Sequence, residues 1–72
     1  MERNRTDNIA YFIAFCIEMY KKSHSLTGIS ANNIFMKNDL HDYLAENFDV
    51  LHTQSPRWIL EEIDEVIKRH SA

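Results

Sequence analysis

Asp49, His52, Thr53 and Ser55 bring a carboxylate, an imidazole and two hydroxyls into one short stretch, Asp49-Val50-Leu51-His52-Thr53-Gln54-Ser55-Pro56. Those residue types could perform acyl transfer, with the imidazole taking a hydroxyl proton while the carboxylate orients the ring. Such a relay is defined by geometry and by an oxyanion hole. No glycine-bearing elbow surrounds Ser55. Each residue also has a local architectural use. Ser55 before Pro56 reads as an N-cap followed by the first helical position, where proline's missing N–H goes unmissed. Asp49 fits a turn or helix end, Leu51 is expected to point inward, and His52 and Thr53 to hold a tight turn. No catalytic residue is assigned.

Other reactive side chains give less. Cys16 lies among Phe12, Ile13, Phe15, Ile17 and Tyr20. A reactive thiol needs an electropositive, partly exposed setting, so Cys16 is expected to be a small buried hydrophobe. His24, His41, His52 and His70 include no i,i+4 pair, and neither CxxC nor HExxH occurs. No metal site and no cofactor is therefore expected.

The elements that would position these groups are helices. The chain has 72 residues with one Gly, one Pro and one Cys, so it is too short for more than one domain and has no internal disulfide. A domain of this size buries only about 60% of its unfolded surface, and its stability must come from tight helix packing or from another chain. At 44% hydrophobic residues it has the apolar mass to collapse. The pattern predicts an all-α bundle of about four short helices in a single domain over 1–72, its core spanning about 7–69 between frayed ends.

Helix one is expected from Thr6 or Asp7 to about Lys22. Ile9, Phe12, Ile13, Cys16, Ile17 and Tyr20 recur at helical spacing on one face. A connector ending in Gly28, placed to take positive φ, leads to a short helix capped by Ser30 and carrying Ala31, Ile34 and Phe35. Asp39 is expected to cap a third helix with Leu40, Tyr43, Leu44 and Phe48 on one face. Ser55 caps the last, whose buried stripe is Ile59, Ile63, Val66 and Ile67. Its acids precede its bases, as the helix dipole favours, with Asp64–Lys68 and Glu65–Arg69 as expected i,i+4 pairs.

Helix one carries a second stripe, Tyr11, Phe15 and Met19. Two readings stand side by side: contact with neighbouring helices on both flanks, or a surface for a partner, since aromatics and Met are enriched at interface cores. Trp58, in the first turn of the last helix, carries the same ambiguity. The net charge of −3 argues against nucleic acid. Drawn as a helix-turn-helix, helices two and three would offer Asp39, Asp42 and Glu46 to phosphates, the wrong sign. The apolar run from Ile9 to Ile17 falls short of the roughly 20 residues of a membrane span. Asp7 and Asn8 interrupt the leader-like opening Met1-Glu2-Arg3-Asn4-Arg5, and the run that follows lacks a small-residue cleavage site. A soluble cytoplasmic protein is expected.

The aromatic-rich first helix, Leu26-Thr27-Gly28, Phe35, Phe48-Asp49-Val50-Leu51-His52-Thr53-Gln54-Ser55 and Ile63-Asp64-Glu65-Val66-Ile67 together resemble a family of small bacterial proteins. It is catalogued as domain of unknown function 3791. The resemblance runs from about Ile9 to Ile67, and Leu51-His52-Thr53 is its most specific part. Many members have Gly where Ser55 stands and Asp-Ile where this chain reads Glu62-Ile63, which implies a loop or cap position at Ser55. The resemblance also implies a setting. Such genes often stand beside a small family that looks like an ADP-ribosyltransferase-type toxin, so an antitoxin or accessory role is expected.

The leading expectation is a non-enzymatic module that binds another protein or itself through Tyr11, Phe15, Met19 and Trp58. A small-ligand or enzymatic protein centred on His52 is the alternative, and a nucleic-acid-binding regulator the third.

Overall fold

The computed structural model describes residues 5–71. Met1-Glu2-Arg3-Asn4 of the leader-like opening and Ala72 lie outside the described residues; of the ends expected to fray, Arg5, Thr6, His70 and Ser71 are described and are helical. The described chain is helical in α1 (Arg5–Ser23), α2 (Gly28–Lys37), α3 (Leu40–Glu46), α4 (Phe48–Leu51) and α5 (Pro56–Ser71), and no strand occurs among the described residues. Four of these helices match the four expected. The single turn α4 is additional and lies inside the Asp49–Pro56 stretch.

The helices share one core. Phe12, Cys16 and Tyr20 of α1 meet Ala31 and Phe35 of α2, Leu40 and Leu44 of α3, Leu51 of α4 and Ile59, Ile63 and Val66 of α5. These positions follow the i, i+3, i+4 rhythm that lays apolar side chains along one helical face. Burial of about 1.5–3 kcal/mol per large side chain is what orders so short a chain. α1 is the hub, packing against α2, α3 and α5. Ile67 is half-buried, packed against the rim of this core.

The boundaries differ from the sequence reading where backbone geometry intervenes. α1 closes with the N–H of Leu26 on the Lys21 carbonyl at 2.9 Å and that of Ser25 on Lys22 at 3.4 Å. This is the two-bond Schellman closure. Its left-handed position is Ser25, with φ 53°, and no glycine has positive φ. Gly28 instead begins α2. The cap of α2 is Thr27, whose Oγ1 accepts from the Ser30 N–H at 3.1 Å, not Ser30, which lies within the helix. Asp39 stands at the N-cap position of α3 but with φ 54°, and its carboxylate makes no cap bond. A capping side chain needs an extended backbone at that residue, and ending α2 leaves Asp39 left-handed.

Phe48 does not continue α3. Asn47 ends that helix, its side-chain amide donating to the Tyr43 carbonyl at 2.8 Å. The chain then restarts as α4, with the Leu51 N–H on the Asn47 carbonyl and the His52 N–H on that of Phe48. Ser55 caps α5, its Oγ accepting from the Trp58 N–H at 3.2 Å, and Pro56 is the first helical residue. The expected pairs along α5 are replaced. Lys68 meets Glu65 at 3.7 Å, one residue closer than predicted. Asp64 reaches His24 at 3.4 Å instead. For Asp64 a tertiary partner replaces an intrahelical pairing worth only about 0.2–0.5 kcal/mol.

Candidate partner-binding groove

The helical repeat of α1 sets Asn8, Tyr11 and Phe15 on one side at i, i+3 and i+7, adjoining the core residue Phe12. Opposite them, α4 presents Phe48, and the chain between α4 and α5 presents His52 and Gln54. Pro56 and Ile59 join from the start of α5. Together they line an open groove of about 580 Å³. Tyr11 is 60% exposed and Phe15 49%, so the second stripe of α1 is not core at these two positions. Met19, further along the stripe, is half-buried against the core and does not reach the groove.

Phe48 is the organising ring. Phe12 meets it edge-on with centroids 5.5 Å apart, and the His52 imidazole stacks on it at 4.5 Å and 11°. The Arg5 guanidinium lies 5.8 Å from its centroid. Arg5 also grips Asp49 with two hydrogen bonds, 2.8 and 3.0 Å, tying the start of α1 to α4. Those bonds hold the Asp49 carboxyl below its usual range and raise the Arg5 guanidinium above its own. Both side chains are solvent-facing, so the tie is worth little in energy and acts mainly by orientation.

The polar residues of Asp49–Pro56 are committed locally. His52 Nδ1 donates to the Phe48 carbonyl at 2.7 Å and Thr53 Oγ1 to the Val50 carbonyl at 2.8 Å, closing the C-terminal end of the α4 turn. Leu51 is buried at 2% exposure. Ser55 is occupied as the cap of α5. No hydrogen bond joins His52 to Asp49, Thr53 or Ser55, so the four do not form a relay. With Nδ1 bound to a carbonyl, the neutral imidazole carries its proton there, and Nε2 is left as an acceptor.

Trp58, 41% exposed, lines a different hollow with Glu61, Glu62, Asp64, Glu65 and Lys68. That hollow runs along the outer side of a single helix, and Glu62 in it already accepts from the Tyr43 hydroxyl at 2.8 Å. Trp58 is thus separated from Tyr11 and Phe15. Cys16 is fully buried, and burial pushes its thiol up to about 12. Among the described residues, no three His, Cys, Asp or Glu side chains come together as a metal cluster, and no helix is long and apolar enough to cross a membrane.

Sequence reasoning missed Arg5, Asn8, Gln54 and Pro56 as parts of this surface. Asn8 was within reach, since it shares the helical face of Tyr11 and Phe15. The Arg5–Asp49 tie spans 44 positions and has no local signal.

Fold and groove together define a small all-α protein that carries an aromatic-walled groove with no charged side chain among its described lining residues. The family described as Protein of unknown function (DUF3791) matches it over residues 11–70, nearly the whole chain, and the chain belongs to that family. No curated protein and no solved structure matches it.

Proposed function

We propose that this chain is a non-enzymatic interaction module of the bacterial cytoplasm that binds a protein through the groove between α1 and the α4–α5 connection. The observation that carries the reading is the exposure of Tyr11 and Phe15 beside Phe12, Phe48 and Ile59. The core is complete without these two rings, and leaving them in water is unfavourable unless another surface covers them. Contiguous exposed apolar area of this kind marks interaction sites on small soluble proteins. The groove is open along its length, whereas small-molecule sites enclose most of their ligand. This favours a macromolecular occupant over the ligand-binding reading centred on His52.

The family setting supplies a candidate partner, the toxin-like product of an adjacent gene, with this chain as antitoxin or accessory protein. The test is co-expression with that product, followed by mass measurement of the purified species. A stable complex that Phe15→Glu dissolves, with helicity by circular dichroism unchanged, supports the reading. A chain of monomer mass that ignores its neighbour, or a Phe15→Glu protein that simply unfolds, overturns it.

A further inference from the structure

We infer that the groove is self-complementary and takes a second copy of this chain, the α1 outer faces meeting about a two-fold axis. The inference rests on the interaction-module reading and adds the occupant.

Charge is the first argument. Among the described residues, no Asp, Glu, Lys or Arg lines the groove, and Arg5 and Asp49 beside it neutralise one another through two hydrogen bonds. The chain as a whole carries −3. The outer side of α5 sets Glu61, Glu62, Asp64 and Glu65 against Arg57 and Lys68 and so stays net negative toward its own copy, whereas like meets like across the groove without an unpaired charge. A two-fold interface presents the same patch from both sides, so this neutrality is a requirement that the groove meets.

Shape and polarity are the second. Tyr11 and Phe15 stand out of one wall immediately beside the trough over Phe48 and Ile59. Knob and hole therefore occur on one patch, and each copy can insert its aromatic wall into the trough of the other. Polar groups are matched in the same way. The side-chain amides of Asn8 and Gln54 have no partner among the described residues, and His52 offers Nε2. One surface thus holds both donors and an acceptor, which a two-fold contact pairs reciprocally.

Area is the third. A standard interface takes about 800 Å² from each partner, roughly a sixth of the 5074 Å² surface here. The 19 residues of α1 extend about 28 Å at 1.5 Å per residue, so two such helices laid side by side can supply that area. Aromatic side chains bury about 150–250 Å² each from full exposure, and Tyr11 and Phe15, 60% and 49% exposed, have about half of that to give.

Sedimentation equilibrium over 5–200 µM tests the inference. Wild type is expected to reach twice its 8.5 kDa chain mass. Phe15→Glu is expected to weaken association by about 30-fold or more, the size of an interface hot spot, with unchanged circular dichroism. Tyr11→Glu, at a more exposed position, serves if Phe15→Glu fails to fold. Ile29→Glu, at a 77% exposed position outside the groove, should leave the dimer intact. A wild type monomeric throughout, or a dimer lost in Ile29→Glu but kept in Phe15→Glu and Tyr11→Glu, overturns it. A monomer that still binds the adjacent gene product through Phe15 would sink the second-copy inference while leaving the interaction module standing.

Discussion

Replacing His52 by Ala and by Asn separates the two contacts that fix the groove's far wall. In the structure His52 closes α4 by donating Nδ1–H to the Phe48 carbonyl at 2.7 Å, and its ring stacks on Phe48 at 4.5 Å. A net hydrogen bond is worth about 0.5–1.5 kcal/mol, and this one is solvent-facing and belongs at the low end. The stack adds about 0.5–1 kcal/mol on the scale of aromatic pairs. Ala removes both, an expected loss of about 1–2 kcal/mol. Asn keeps a donor of the right reach. The chain itself shows this, since Asn38 donates to Ile34 and Asn47 to Tyr43, each to the carbonyl four residues back at 2.8 Å. All three residues occupy helix C-caps. His52→Asn should therefore recover about half of the loss. An unfolding entropy of roughly 2.1 cal/mol/K per residue makes 1 kcal/mol about 6–7 °C of Tm for a chain of this length. Thermal melts by circular dichroism should then fall by about 7–13 °C for Ala and by about half that for Asn. If Asn melts as low as Ala, the back-bond to Phe48 contributes nothing. If neither variant shifts, the account of α4 as a turn closed by its side chains is wrong.

Three further outcomes follow from the geometry. Ser25→Gly should raise stability by about 1 kcal/mol, because a left-handed non-glycine residue carries a penalty of that order; Ser25→Ala keeps the Cβ and should not, and urea melts would separate them. Asp49 has a folded pKa depressed below its ordinary 3.8, so its contribution is present at neutral pH and disappears as pH falls through that lowered value; carboxyl NMR titration of the Arg5→Ala protein should return Asp49 toward 3.8. Cys16, with its thiol raised to about 12, should react with a disulfide reagent at pH 8 only as fast as the chain opens, and denaturant should restore a free-thiol rate.

The helices were legible because each writes its own periodicity. Ile59, Ile63 and Val66 repeat with the helical turn, and all three are buried. Ser55-Pro56 is a start signal that works through atoms within four residues of one another. Legibility failed where two segments compete for one residue. Asp39 has the chemistry of a cap, but ending α2 fixes its backbone in the left-handed region. Asp64 had a partner at i+4 and instead meets His24 from the connector after α1. α4 was missed because one turn is too short to display a period.

The groove was half legible. Tyr11 and Phe15 form a visible stripe, and sequence alone left open whether they face a neighbour or water. That choice depends on where α4 and α5 lie beside α1, and it differs along the stripe, with Met19 packed and Phe15 exposed.

By itself, then, the sequence determined the helical class, the core positions and the family, since these rest on local spacing and residue type. The turn at His52 and Thr53 and the cap at Ser55 were legible as well; only the tertiary structure decided that Asp49 is tied to Arg5. Only it placed Arg5, Asn8 and Gln54 beside the aromatic wall. The Arg5–Asp49 tie, at a separation of 44 residues, and the meeting of Asn8 with Gln54 depend on how α1 packs against α4 and the connection to α5, which no local preference encodes.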